Sequence, residues 1–224
     1  MTTGSRYDGI ADWYDTEFQP APLESETWQT LVGLLGPGDG TLLDVGCGTG
    51  SFTAALAEQG WDATGVDLSE DMLRRARARG VQALEADASS LPFEDASFDA
   101  AVSVFTHTDA DDFPAMVREI GRVLRLGGPF VYLGPHPCFV GPHAVYDVQG
   151  GVPELHAGWY RRLGRYDEAP GISSSSGLRI RVGAGHLPLG LFLQAFLDAG
   201  LRLERIEEPE QREYPFILGL RWRR

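Results

Sequence analysis

From Thr41 onward the apolar residues alternate between two spacings. Short apolar runs at Thr41–Gly46 (TLLDVG), Trp61–Asp67, Gln82–Asp87, Phe98–Phe105 and Phe130–Leu133 read as buried parallel strands. Between them the apolar positions recur every three to four residues. Ser51–Gln59 is a helix stopped by Gly60, and Ser69 caps another that runs to Arg79. Phe113, Met116, Val117, Ile120 and Leu124 share one face of a third, opened by Asp111 and Asp112. Glu70 with Arg74 and Asp71 with Arg75 stand four apart, the spacing of favourable ion pairs on a helix. A late helix over Leu189–Ala199, ended by Gly200, precedes strands over Leu201–Ile206 and near Phe216–Trp222. Strand and helix in repeated alternation predict an α/β fold, a doubly wound, mostly parallel sheet with helices on both faces.

Two stretches break the rhythm. The first forty residues read as two short helices and a loop. Tyr7, Ile10, Ala11 and Tyr14 fall at helical spacing, Gln19-Pro20-Ala21-Pro22 interrupts, and Leu23–Leu35 ends in the stop signal Gly36-Pro37-Gly38. Between Pro135 and Gly185 the pattern lapses into a segment rich in Gly, Pro, His and aromatic residues, with a flexible Ser173–Ser176 run. So long a loop inside a compact domain is usually functional or disordered. We divide the single domain, 1–224, into an amino-terminal helical cap (1–38), the sheet with its helices, and an insertion after the fifth strand (135–185) expected to form a lid over a substrate. No internal repeat is present.

Composition narrows the function. The formal net charge is −13, which repels polyanions and makes nucleic acid and anionic membrane poor partners. All 19 basic residues are arginine, which removes every mechanism that needs a lysine amine. Two cysteines, Cys47 and Cys138, are too few for a disulfide framework. The opening MTTGSRYDG lacks a signal pattern and no apolar run approaches the ~20 residues of a membrane span, so a cytoplasmic location is expected. Oligomeric state has no signature in the sequence.

The densest chemistry lies in Leu42-Leu43-Asp44-Val45-Gly46-Cys47-Gly48-Thr49-Gly50, a strand running into a glycine-rich turn and a helix. The spacing is G-x-G-x-G. Ser51 stands where the dinucleotide fingerprint has its third glycine, and Asp44 would meet a pyrophosphate with like charge. An acid there suits a cationic or amine-bearing ligand. Asp67 ends the second strand, where a carboxylate can accept two ribose hydroxyls, and Asp87 ends the third, where it can accept from an adenine amine.

At this point the chain resembles the class I S-adenosylmethionine-dependent methyltransferases, small-molecule type. DVGCGTG resembles their first motif, GVDLS the acid of the second strand, and EADASSLPFEDASFDAAVS the third- and fourth-strand segment. RVLRLGGPFVYLGPHP, HLPLGLFLQAFLDAGLRLERIEEP and the amino-terminal YDGIADWYD are similar to later segments and to the helix that closes over the cofactor. The resemblance implies a seven-stranded Rossmann-like sheet and S-adenosylmethionine as cofactor. It implies that Gly46, Gly48 and Gly50 wrap the methionine part, Asp44 reaches the amino group, and Asp67 holds the ribose. Leu68 and Met72 would pack on adenine, Asp87 and Ala88 read its edge, Ser103 to Phe105 pass the sulfonium, and Tyr7 and Tyr14 close the pocket. Plainer readings stand beside these: Met72, Tyr7 and Tyr14 as packing residues, and Asp87 as a turn cap. Leu126-Gly127-Gly128 departs from the family's proline-containing turn.

For the acceptor, Ser103-Val104-Phe105-Thr106 lacks the Asn/Asp-Pro-Pro-Tyr element that holds planar amines, a second reason to exclude nucleic acid. His107 and His136 follow strands four and five, and His143 lies in the insertion; these three are the candidate general bases, each also readable as a hydrogen-bonded structural residue. His156 and His186 are weaker by position. Phe139, Tyr146, Trp159 and Tyr160 suggest an aromatic substrate held by stacking, or else the insertion's own small core. His107 with Asp109, Asp111 and Asp112 could be a cation site but reads better as an acidic helix start, and no metal is assigned. Arg74, Arg75, Arg77 and Arg79 read as a solvated helix face. The expectation is methyl transfer to oxygen or nitrogen of a small aromatic metabolite. Carbon methylation of an electron-rich ring such as indole C3 is an alternative. A dinucleotide-dependent oxidoreductase and a non-catalytic cofactor-binding module are the rivals.

Overall fold

The structure, a computed structural model, describes residues 5–18, 22–146, 152–172, 177–209 and 213–224. The Ser173–Ser176 run and most of the Gln19-Pro20-Ala21-Pro22 break lie outside the described residues. In chain order the elements are α1 (Ala11–Trp13) running into a π-turn (Tyr14–Phe18), a 3₁₀ turn (Pro22–Glu24), α2 (Glu26–Leu35), β1 (Gly40–Val45), α3 (Ser51–Glu58), β2 (Trp61–Asp67), α4 (Glu70–Ala78) and β3 (Gln82–Glu85). There follow β4 (Ala100–Val104), α5 (Phe113–Val123), β5 (Pro129–Pro135), β6 (Ala144–Tyr146), β7 (Pro153–Leu155) and β8 (Gly164–Tyr166). The chain closes with a 3₁₀ turn (Pro170–Ile172), α6 (Leu178–Val182), β9 (Ala184–His186), α7 (Leu189–Asp198), β10 (Arg202–Glu207) and β11 (Ile217–Arg223).

Seven strands form one sheet in the order β10-β11-β5-β4-β1-β2-β3. β3, β2, β1, β4 and β5 pair in parallel, and β11 runs antiparallel between β5 and β10. The order reverses between β1 and β4, and at such a reversal the loops leave in opposite directions and open a crevice at the strands' carboxyl ends. Alternation along each strand divides the core. Leu43, Val45, Ala101, Phe130 and Tyr132 face α5 and α7 on one side, while Leu42, Ala100, Val102, Val131 and Leu133 pack with Leu31, Leu34 and Leu56 on the other.

Most elements match the expected ones within two residues, with three differences. The first helix is a single turn followed by the π-turn. β3 stops at Glu85, which leaves Asp87 in the turn beyond it. The insertion carries two small antiparallel ladders, β6–β7 and β8–β9, because short extended pieces there pair with each other rather than with the main sheet.

Trp222 stacks on Phe196 at 4.5 Å and is 1% exposed, tying the last strand to α7. Trp222→Ala should lower stability by about 3–5 kcal/mol, read as a shifted urea midpoint with an unchanged slope.

Candidate active site

The crevice at the β1/β4 reversal is lined by Tyr14, Asp44, Gly46, Cys47, Gly48, Thr49, Ser51, Phe52, Val104 and Phe105. Its floor is the glycine turn. Gly46 adopts φ +76°, and a Cβ there would fall 2.4 Å from Thr106 Oγ1, so the position is closed to other residues. Gly50 has φ +78° and lies against Ala76, which lets α3 start close to α4. Phe105, on the opposite rim, is a non-glycine residue held at φ +58°, with its N–H donating to Leu133 at 2.7 Å. Strain of this sort concentrates at functional sites.

Two carboxylates sit beside that floor. Asp44 is 2% exposed, and its Oδ2 accepts from Thr53 Oγ1 at 2.6 Å. Burial pushes its pKa up to about 6, against the pull of the Thr53 hydroxyl. Asp67 accepts from the N–H of Gly48 at 2.9 Å and of Ser69 at 2.9 Å, so it clasps the glycine turn to the start of α4. Burial raises its pKa too, against those two donors. Leu68 beside it is 47% exposed, while Met72 is 2% exposed within α4. Asp87 is exposed, and its Oδ1 accepts from Ser89 N at 2.8 Å and Ser89 Oγ at 2.7 Å, the geometry of a turn cap. Ala88 packs against the core, and Ser103, fully buried, has no partner for its hydroxyl.

The amino-terminal segment is fastened over this crevice by contacts the helix-face reading of the arginines did not anticipate. Arg74 pairs with Asp71, and Arg77 with Glu70, so the expected i,i+4 pairs do not form. Arg75 and Arg79 instead reach off the helix. Asp15 accepts from Arg79 at 2.6 Å, Arg75 at 3.3 Å and Thr49 Oγ1 at 2.9 Å, and Arg75 also pairs with Asp12. Arg79 further donates to the Thr49 carbonyl at 2.9 Å. Tyr7 and Tyr14 meet edge-on at 5.9 Å, and burial raises the pKa of both phenols.

The histidines fall into different environments. His107 Nδ1 shares a short hydrogen bond with the Tyr132 hydroxyl among Phe113 and Phe192, and burial pulls its pKa down to about 3. His136 Nδ1 accepts from Cys138 N at 3.1 Å, so Nε2 carries the proton toward Glu208 at 3.0 Å, and both ring nitrogens are engaged. His143 Nε2 donates to the Cys138 carbonyl at 2.8 Å, which leaves Nδ1 a bare, buried lone pair with no partner among the described residues. Its ring packs 5.0 Å from Tyr160 and 5.0 Å from His186. Of the insertion's aromatics whose side chains are described, Tyr160 joins His143. Trp159 packs with Tyr166 and Arg162, and Phe139 with His136 and Tyr214. The Tyr146 side chain lies outside the described residues. The acids after β4 serve separately: Asp112 caps α5, Asp111 pairs with Arg6, and Asp109 with Arg179.

A buried acid with an elevated pKa beside a glycine turn, and a second clasping that turn, fit an amino-bearing nucleoside cofactor. The comparisons agree. The family model described as "Methyltransferase domain" matches residues 43–132. An S-adenosylmethionine-dependent methyltransferase of Mesorhizobium loti has a structure with a TM-score of 0.73 and 26% identity, covering 89% of this chain and 98% of that one. Residues 43–132 thus carry a methyltransferase domain, and most of the chain shares the fold of an S-adenosylmethionine-dependent methyltransferase. Among curated relatives, the demethylmenaquinone methyltransferase of Mycobacterium marinum is 37% identical over 131 residues, 57% of this chain and 56% of that protein. That of Roseiflexus castenholzii is 38% identical over 131 residues, 54% and 55% of the two chains. The chain thus spans little more than half the length of these curated relatives.

Three outcomes follow. Asp44 binds a proton in the free protein below about pH 6, whereas an ammonium partner favours its ionised form. S-adenosylhomocysteine affinity should therefore fall as pH drops through about 6, and Asp44→Asn, weaker at pH 8, should show a nearly flat profile by calorimetry. The same elevated pKa gives the free protein a native-state proton that the unfolded chain releases, so this residue's contribution to stability declines as pH rises from about 4 to about 6. Asp15→Ala removes the one carboxylate shared by Arg75, Arg79 and the Thr49 hydroxyl and should weaken S-adenosylhomocysteine binding roughly tenfold, mainly through a faster off-rate in stopped flow.

Proposed function

We propose that this chain transfers the methyl group of S-adenosylmethionine to an oxygen or nitrogen of a small aromatic molecule held beneath the insertion. The observation that carries the reading is the buried Asp44 carboxylate on the floor of a crevice whose glycine turn is clasped by Asp67. When bound, the cofactor supplies an electrophilic methyl on a sulfonium. Asp44 would hold the amino group, Asp67 would accept from the ribose with its remaining lone pairs, and Tyr14 and Phe105 would wall the crevice from water. His143 is the base we favour among the three histidines, since its Nδ1 lone pair is unclaimed and burial keeps the ring neutral. His136 has no free lone pair, and the low pKa of His107 makes it a poor proton sink.

Methylation of an electron-rich ring carbon is a second reading, favoured by relatives named for demethylmenaquinone. Among the described residues no helix is long and apolar enough to cross a membrane.

The test is incubation with methyl-labelled S-adenosylmethionine and panels of phenols, arylamines, indoles and reduced naphthoquinones. Label is expected in an organic product. Asp67→Ala should abolish measurable S-adenosylhomocysteine binding, while His143→Ala should spare binding and lower kcat about 10²–10⁴-fold on oxygen or nitrogen acceptors. Tight NAD binding without S-adenosylhomocysteine binding would make the chain an oxidoreductase, and cofactor binding without transfer to any panel member would favour a non-catalytic module.

A further inference from the structure

Where the amino-terminal cap, the β4–α5 loop and the insertion touch, three guanidiniums meet two carboxylates. Asp109 accepts from Arg179 at 2.8 Å and lies 3.9 Å from Arg165, and Asp111 pairs with Arg6 at 2.7 Å. Arg6, Arg165 and Arg179 against Asp109 and Asp111 leave one positive charge over, in a chain whose total is −13. Asp167 lies nearby but is exposed and makes no ion pair with Arg165 among the described residues.

The surplus sits on Arg165. A strut from cap to insertion is already complete without it: Asp109 accepts from Tyr7 Oη at 3.0 Å on one side and from Arg179 on the other. The Arg165 side chain is 19% exposed, its Nη atoms donate to the carbonyls of Thr108 and Val182 with the already paired Asp109 3.9 Å away, and among the described residues its buried Nε has no acceptor. A guanidinium desolvated to that extent without a carboxylate of its own is costly unless a ligand supplies the anion. The position suits one. Arg165 donates to the carbonyl of Thr108, next to His107 beyond β4, and Asp109, which Arg179 holds at 2.8 Å, links through Tyr7 to Tyr14, whose ring lies 5.9 Å from that of Tyr7 and which lines the crevice.

We propose that Arg165, with Arg179 beside it, recognises an acidic group on the acceptor, so that the substrate is a small aromatic acid rather than a neutral molecule. The assignment refines the methyl-transfer reading and rests on it for the reaction. A carboxylate can take two parallel N–H donors from a guanidinium, which an ester or amide cannot match in charge.

The experiment is a calorimetric titration of the full chain, free and saturated with S-adenosylhomocysteine, using benzoate, 4-hydroxybenzoate, phenylacetate and indole-3-acetate and the methyl ester of each. At least one acid should bind about tenfold or more tightly than its ester. In Arg165→Gln that preference should shrink to about onefold while S-adenosylhomocysteine affinity stays unchanged. Arg165→Lys, which keeps the charge but loses the fork, should retain part of the preference. Equal binding of acids and esters, no acid binding at all, or an undiminished preference in Arg165→Gln would each overturn the assignment. Loss of S-adenosylhomocysteine binding in the wild type would instead strike the methyl-transfer reading, because the acid-to-ester ratio is also read on the free protein.

Discussion

A buried carboxylate, Asp44, and a half-buried one beside it, Asp67, set the demands that the rest of the molecule meets. Asp44 and Asp67 stand at the carboxyl ends of β1 and β2, adjacent parallel strands. Among the described residues neither pairs with a cation. Asp67 is kept there by the N–H groups of Gly48 and Ser69, which requires the turn between β1 and α3 to fold back over it. That turn needs backbone angles only glycine adopts easily, and Gly46 must also clear Thr106. Among the described residues the Asp44 side chain accepts from one donor, Thr53, and the burial this leaves uncompensated raises its pKa.

Cation-bearing side chains are spent elsewhere, on fastening the cap. Arginine serves this better than lysine would, because one guanidinium can join three segments. Arg79 touches Asp15 of the cap and the Thr49 carbonyl of the glycine turn while belonging to the end of α4. Arg181 lies 4.5 Å over the Trp13 ring, and Arg179 reaches Tyr7 through Asp109, so the insertion grips the same cap from the other side. The cap is therefore joined to α4 by ion pairs, to the glycine turn by the Asp15–Thr49 hydrogen bond, and to the insertion through Asp109 and Trp13.

The sheet and its helices were legible because each is a local pattern of period two or 3.6, and β2 emerged with its expected bounds. The acids and glycines of the turn were legible because their spacing is short. What the sequence concealed is long-range. Arg75 has an acid four residues away at Asp71, yet it pairs with Asp12 and Asp15, more than fifty positions back in the chain. A rule built on helical neighbours cannot see a partner delivered by the fold. Asp87 was misplaced by a simpler cause, since β3 ends at Glu85 and the carboxylate falls to the following turn. The insertion's aromatics split into separate clusters because its short ladders pair among themselves.

The histidines show most sharply what only geometry supplies. By sequence His107, His136 and His143 are equivalent candidates, each following a strand or lying in the insertion. Their surroundings decide which lone pair is free. A backbone N–H claims Nδ1 of His136 and forces its proton onto the nitrogen facing Glu208. A backbone carbonyl claims the proton of His143 and so leaves its buried Nδ1 as an acceptor, the opposite result from an equally ordinary hydrogen bond. The Cys138 main chain makes both assignments, its N–H to one ring and its carbonyl to the other. One peptide turn between β5 and β6 thus sets two tautomers, and the chemistry open to each histidine depends on the conformation of Cys138 more than on its own place in the chain.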